Sequence, residues 1–282
     1  MKITTVRLAN FVALAILCLL SQEALSQKKI EYGSNNGKYV SILNTKIYYE
    51  EYGKGAPLIL LQGGMGGIGD FALCIPELSK HFRVIAPDTP GQGRSALADS
   101  MSYPLMAEYI SKMLDILKLD SAYIMGWSDG GNMALIVASN RPDKVKKVIA
   151  SGANYKLNAY PTLVNDSTDW EKVVNDPKWQ LENKAWIDSY LKLSNRDWKK
   201  MLIDINKMWK REIYFPQSIL ERIKVPAMIV LGDRDAVTLD HGLEMYRLIK
   251  GGSFCVVPNT SHAVFHERPA LINKIAINFF LR

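Results

Sequence analysis

A chain of 282 residues, 48% of them hydrophobic, can bury one substantial core, as a single large domain or a domain with an insertion. Its formal charge of +7 comes from scattered lysines (Lys144, Lys146, Lys147, Lys199, Lys200), the pattern of a solvated surface and not of a nucleic-acid footprint. No Cys/His cluster has metal-ligand spacing, so neither a metal nor a cofactor is expected.

The N-terminus opens with Lys2 and Arg7, followed by an apolar run over 11–20 that is too short to span a bilayer. Ala24 and Ser26 then place small residues at the −3 and −1 positions of a cleavage site. This predicts a signal peptide over 1–26, cut after Ser26, and a secreted or periplasmic protein with no stable membrane span once it is removed. A buried core helix is the plainer alternative. Cys18 lies inside the apolar run with leucines after it, whereas a lipidated cysteine normally ends such a run. Removal leaves Cys74 and Cys255, which an oxidising compartment would allow to pair. They are expected on different parts of the sheet, and therefore free.

From Lys38 onward, strands and helices alternate. Residues 39–43 and 46–51 read as a hairpin, 57–62 as a strand buried on both faces, 71–80 as a helix and 83–87 as a strand. A helix over 105–117, a strand over 122–125, a helix over 130–139 ending at Arg141-Pro142, and a strand over 145–150 follow. The pattern argues an α/β protein, with a mostly parallel central sheet and helices on both faces. Between 155 and 217 there is no convincing strand, and five of the six tryptophans fall there: Trp170, Trp179, Trp186, Trp198 and Trp209. Trp198, Met201, Leu202, Ile205 and Trp209 share one helix face. The expected organisation is a small helical cap over 155–217 inserted into a core of 27–154 and 218–282. The sheet pattern resumes with a strand at 227–231, a helix at 239–249, a strand at 254–257 and a last helix at 269–280.

Gly126-Trp127-Ser128-Asp129-Gly130-Gly131 lies between an expected strand and an expected helix. A serine there sits on a very tight turn, exposed above the sheet, with a helix N-terminus behind it that favours negative charge on a reacting oxygen. The five-residue pattern alone arises often by chance; the strand–turn–helix context gives it weight. Ser128 is therefore the candidate nucleophile, and a serine hydroxyl needs a base. Of four histidines, His262 follows the last strand on a loop that can reach Ser128. His266 is the runner-up but begins to enter the last helix, and His81 and His241 lie in segments expected to face solvent. The acid that orients the base comes from Asp233 or Asp235; Asp235 is further into its loop, and Asp233 suits a turn or cap. The order Ser, Asp, His along the chain is that of one hydrolase architecture.

With Gln62-Gly63-Gly64-Met65-Gly66 after the third strand and Asp88-Thr89-Pro90-Gly91-Gln92-Gly93-Arg94-Ser95 after the fourth, these motifs resemble the α/β-hydrolase superfamily over the whole mature length. The Ser128 motif and Ser151-Gly152-Ala153-Asn154 look most like its biphenyl-hydrolase-like group, which includes α-amino-acid ester hydrolases. The usual His-Gly of the family's oxyanion loop is Gln62-Gly63 here, a departure that leaves the backbone donor intact. The resemblance implies an oxyanion hole formed by the N–H groups of Gly64 and Asp129. Met65 and Trp127 join Asp129 as expected substrate contacts. Asp129 has two readings, a partner for a substrate ammonium or a helix N-terminal cap. The aromatic cap either lines the site or forms its own small core.

The expected function is hydrolysis of a small ester or amide through an acyl-enzyme, with α-amino acyl substrates preferred on the first reading of Asp129. Two other readings stand beside it. Gly64-Met65-Gly66-Gly67-Ile68-Gly69 fits G-x-G-x-x-G, with Asp88 where a ribose-binding acid would sit, as in a dinucleotide-dependent oxidoreductase. The hairpin before that loop, and an elbow and histidine loop left unexplained, weigh against it. The other is a catalytically inactive hydrolase fold used as a binding module. Epoxide hydrolases and dehalogenases would want a carboxylate where Ser128 stands.

Overall fold

The computed structural model describes residues 30–33, 35–193 and 197–282; the expected signal peptide over 1–26 lies outside the described residues. The sheet, the helices packed on it and the site lie within the unit Tyr32–Arg282.

Strands β1 (Lys38–Ile42) and β2 (Thr45–Tyr52) form the expected hairpin. Its two central residues, Leu43 and Asn44, both take positive φ (46° and 63°). That turn matches the right-handed twist of the flanking strands. β3 (Ala56–Leu61), β4 (Phe82–Pro87), β5 (Ala122–Trp127), β6 (Val145–Ser151), β7 (Ala227–Gly232) and β8 (Ser253–Val257) complete one sheet in the order β1-β2-β4-β3-β5-β6-β7-β8. β1, β2 and β4 pair antiparallel, and every pair from β4 onward across the sheet is parallel. The run Leu58-Ile59-Leu60-Leu61 of β3 and the apolar stretch Ala122–Met125 of β5 follow from burial on both faces.

The chain order reverses around β3, which has β4 on one side and β5 on the other. At such a switch point the loops leaving the carboxyl ends of adjacent strands part and open a crevice. The loops after β3, β5, β6, β7 and β8 carry Gly64, Ser128, Gly152, Asp235 and His262 respectively. The parallel sheet thus delivers residues far apart in sequence to one edge.

Two hydrophobic clusters cover the two faces. One packs α1 (Tyr103–Ile116) and α2 (Asp129–Asn140) on the sheet. The other includes Ile272, Ala276 and Phe280 of the C-terminal helix Pro269–Leu281. The expected helix over 71–80 is broken: a 3-10 turn, Ile68–Phe71, is followed by a four-residue helix, Ile75–Leu78. Pro76 has no N–H to continue a helix through this segment and sits instead in the first turn of a new one. Cys74 is buried and Cys255 half-buried; both are thiols, and burial pushes the Cys74 thiol up to about 12.

Between β6 and β7 the described residues form helices, among them Trp170–Val173, Pro177–Glu182, Lys184–Leu193 and α3 (Trp198–Trp209). One isolated antiparallel bridge, Lys156 to Ile213, joins the two ends of this layer. Trp179 stacks on Trp198 (6.2 Å between ring centroids, 19° between planes), with Trp170 edge-on to Trp179 and Trp186 edge-on to Trp198. These four rings, each partly buried, pack on one another and against the same hydrophobic cluster that Met201, Leu202 and Ile205 join. Among the described residues, no helix is long and apolar enough to cross a membrane.

Candidate active site

Ser128 occupies the single residue between β5 and α2, with φ 53° and ψ −117°. A non-glycine residue held there costs roughly 1–3 kcal/mol, which the surrounding structure must impose. Ser128 N donates to Ser151 O at 2.7 Å, and Ser128 O accepts from Asn132 N at 3.0 Å. Strand and helix approach so closely that a Cβ on Gly126 would lie 2.1 Å from Gly130 O. Glycine is therefore required there by contact, not by backbone angle. The turn sets Ser128 against a cavity of about 210 Å³ that Gly64, Asp129 and His262 also line.

His262 Nδ1 bonds Asp235 Oδ1 at 2.7 Å. The Asp235 carboxylate is closed to solvent (0% exposed) and also accepts from Val237 N at 3.0 Å and Gly232 N at 3.2 Å. A carboxylate facing Nδ1 assigns the imidazole proton to that nitrogen and leaves Nε2 basic. The ring packs on Gly152, which has φ +59°; a Cβ there would lie 2.6 Å from His262 Cε1. Of the two candidate aspartates, Asp233 holds the loop and not the ring: it accepts from Asn259 N at 2.9 Å and Thr260 N at 3.0 Å. Those bonds hold its carboxyl below the usual range. Trp127 adds a direct tie, its indole N–H donating to His262 O at 2.8 Å. Trp127 thus lines the cavity and also anchors the histidine loop to the elbow.

The Gly64 and Asp129 backbone N–H groups donate to no other group among the described residues. One sits in the loop after β3 and the other at the head of α2, where helix N–H groups lack partners by construction.

The Asp129 side chain is only 3% exposed, yet it borders the cavity. It does not cap α2. Oδ1 accepts from Tyr103 Oη at 2.6 Å, and both oxygens accept from Trp209 Nε1 at 3.0 Å. Burial raises its pKa; the bonds from Tyr103 and Trp209 and the proximity of His262 oppose the rise. Trp209, at the end of α3, is the tryptophan of the helical layer that reaches the cavity.

Several expectations need correction. Met65 is exposed, at φ 61°, and lines a neighbouring groove with Asp70 and Trp186, away from Ser128. His241, expected to face solvent, is 4% exposed. Its Nε2 accepts from Tyr155 N at 3.3 Å, its Nδ1 faces Glu244 Oε2 at 3.2 Å, and burial lowers its pKa to about 4. The glycine loop is closed by the protein's own acceptors: Ile68 N donates to Asp88 Oδ1 at 3.0 Å, Gly67 N to Asp70 Oδ2 at 3.4 Å and Gly66 N to Gln92 Oε1 at 3.1 Å. A pyrophosphate would need those donors, and Asp88 is committed to the loop, so the dinucleotide reading loses its site. Sequence reasoning missed Tyr103, Tyr160 and Tyr214, which line the cavity from separate elements. No local motif marks them.

Residues 56–190 match the family model described as the alpha/beta hydrolase fold. The chain is 27% identical over 256 residues to serine hydrolase BPHL of Homo sapiens, spanning 85% of this chain and 84% of that protein. It is 25% identical over 282 residues to 2-hydroxy-6-oxo-6-phenylhexa-2,4-dienoate hydrolase of Burkholderia cepacia, spanning 87% of this chain and 96% of that one. The crystal structure of the enol-lactonase from Burkholderia xenovorans LB400 shares the fold, with a TM-score of 0.68 at 20% identity over 87% of this chain and 100% of that one. The chain thus has the α/β-hydrolase fold, and residues 56–190 carry the sequence pattern of that superfamily. Its similarity to BPHL agrees with the biphenyl-hydrolase-like character of its motifs.

Proposed function

We propose that the protein is a serine hydrolase that cleaves a small ester or amide through an acyl-enzyme and prefers acyl groups carrying a free α-amine. The observation that carries the reading is the 2.7 Å pairing of His262 Nδ1 with a solvent-free Asp235, with His262 and Ser128 lining one cavity.

Ser128 Oγ attacks the substrate carbonyl as His262 Nε2 takes its proton. The oxyanion rests on the N–H groups of Gly64 and Asp129, where one such donor is worth about 3 kcal/mol of barrier and the α2 dipole favours the same charge. His262 then protonates the departing alcohol or amine, leaving acyl-Ser128. It next deprotonates a water that attacks the acyl carbon, and the acid departs with Ser128 restored. The helical layer over 155–217 acts as a cap, contributing Tyr160, Trp209 and Tyr214 to the walls.

Asp129 supports the amine preference. Its carboxylate is buried with two neutral donors, and a substrate ammonium would supply the opposite charge. A charge-assisted bond of about 1.5–3 kcal/mol corresponds to roughly 10- to 150-fold in specificity. A substrate carboxylate placed at the same point would instead meet a like charge.

The test compares kcat/KM for an L-valine ester and the isovalerate ester of the same alcohol, in the wild type and Asp129→Asn. A wild-type preference of at least about tenfold that collapses in the variant is expected. Activity with equal rates on both esters would keep the hydrolase and remove the ammonium site. We further propose that 1–26 directs export. N-terminal sequencing of the processed protein should begin at Gln27; an intact Met1 in protein recovered outside the cytoplasm would refute the cleavage.

A further inference from the structure

Asp129 raises a question that its proposed role does not answer. An ammonium anchor works only as an anion, and a carboxylate 3% exposed beside an apolar wall is driven toward its neutral form. No lysine or arginine lines the cavity among the described residues. What faces the carboxylate is a pair of neutral donors from two different layers. Tyr103 is the first residue of α1 in the sheet domain, and Trp209 the last residue of α3 in the helical layer.

The two contacts differ in kind. Tyr103 is 2% exposed; burial, reinforced by the negative charge of Asp129, keeps its phenol protonated well above the usual range. Its hydroxyl is therefore a permanent donor, and it is aimed at Oδ1 alone. The Trp209 indole N–H cannot ionise in this range, and it bisects the carboxylate, 3.0 Å from each oxygen. A donor shared equally by both oxygens stabilises the delocalised anion; a protonated carboxyl would present it with an O–H on one side. The indole is held in turn at its backbone, where Trp209 O accepts from Tyr214 Oη at 2.7 Å. Its ring lies over the glycine loop, so that a Cβ on Gly64 would be 2.3 Å from Cζ2.

We propose that Tyr103 and Trp209 form a two-donor clamp that keeps Asp129 ionised while the cavity is empty, and so sets the pH window in which an amine is selected. The proposal rests on the ammonium reading of Asp129. It makes Trp209 a specificity determinant supplied by the helical layer, and gives that layer a chemical task at the site beyond covering it. Other titratable groups around Asp129 are His262, Tyr160 and Tyr214. The two further tyrosines have pKa values raised by burial and stay neutral through the relevant range, so the clamp and His262 govern the anion.

The preference for the amino ester rises with pH as Asp129 ionises, and falls as the substrate amine loses its proton near the ordinary α-amino value of about 7.7–8.0. Removing one clamp donor destabilises the anion and moves only the acidic limb, upward. A hydrogen bond to a charged group corresponds to a shift of about one to two pH units.

The experiment records the ratio of kcat/KM for the L-valine ester to that for the isovalerate ester from pH 4.5 to 9. It uses the wild type, Trp209→Phe, Tyr103→Phe and Asp129→Asn, with thermal melts as a folding check. The expected result is an acidic limb moved upward by about one unit or more in both clamp variants, an unmoved basic limb, and no acidic limb in Asp129→Asn. Because the des-amino ester is measured in the same variant, packing damage common to both esters cancels in the ratio. If Trp209→Phe does not fold, Tyr103→Phe alone carries the test. A wild-type preference with an acidic limb that neither variant moves would overturn the clamp and leave the ammonium site standing. Equal wild-type rates on the two esters at every pH would overturn the ammonium reading, and the clamp with it.

Discussion

Replacing Ser128 by alanine is expected to lower kcat roughly a millionfold, the scale of losing the nucleophile of a group that acts as a unit. The residual rate comes from the Gly64 and Asp129 donors and from binding, and it should no longer depend on His262: a further His262→Ala change costs little. Independent contributions would instead multiply. The same position makes a stability prediction of opposite sign. Ser128 is held at φ 53° by its bonds to Ser151 and Asn132. Ser128→Ala keeps a Cβ in that region and leaves the strain, so its melting temperature should stay near that of the wild type. Ser128→Gly removes strain of roughly 1–3 kcal/mol and adds about 1 kcal/mol of unfolded-chain entropy. A net gain of about 1 kcal/mol raises the melting temperature of a chain this size by about 2–4 °C. Calorimetry on the two inactive variants checks this. A Gly variant no more stable than the Ala variant would mean that the elbow stores no more than about 1 kcal/mol of strain, and an Ala variant with more than a hundredth of wild-type activity would mean that Ser128 is not the nucleophile.

What could be read from the chain beforehand follows from how local each signal is. β3, β5 and β7 are continuous apolar runs bounded by glycine and polar residues, so their positions were legible to within a residue or two. Ser128 and His262 announce themselves through the loops that carry them. The choice between Asp233 and Asp235 was a question of reach. The backbone supplies the physical answer: Asp233 is taken by the N–H groups of Asn259 and Thr260, which leaves Asp235 for the ring. The helix over 71–80 failed because its apolar spacing was read without the consequence of Pro76.

Other features could not be read from one strand of sequence. Trp209 and Trp198 share a helix face at helical spacing, yet one ends on Asp129 and the other in a ring cluster with Trp179 and Trp186. Periodicity gives a face, not what each turn of it meets. Tyr103 stands directly after the Ser102 N-cap of α1, where nothing local distinguishes a site tyrosine from a core one. His241 looked exposed because its neighbours in sequence are polar; its burial depends on Tyr155, a residue 86 positions away. Met65 failed for a backbone reason, since its positive φ turns the side chain out of the motif that suggested it.

Asp235→Asn is expected to lower kcat by about 10⁴ with little change in KM. The three donors around the carboxylate show why an isosteric amide cannot replace it. Oδ1 accepts from both His262 Nδ1 and Val237 N, and Oδ2 accepts from Gly232 N. An amide placed with its NH₂ toward Gly232 sets that donor against the Gly232 N–H. It keeps the imidazole tautomer but removes the negative charge that stabilises the imidazolium formed when Ser128 is deprotonated. Placed the other way, its NH₂ faces Val237 N and Nδ1, and the imidazole must move its proton to Nε2, the nitrogen that should accept from Ser128. Both arrangements damage the same step, and neither touches the cavity wall, so KM should hold. Asp233→Asn is the matched control, two residues away and also bonded to backbone N–H groups, but exposed and off the ring. It should stay within about tenfold of wild type, since it disturbs the loop without altering the charge or tautomer of the base. Steady-state kinetics on the two variants separates the roles. A loss at Asp233 equal to that at Asp235 would mean that loop order, and not the electrostatic partnership with His262, is what the second carboxylate supplies.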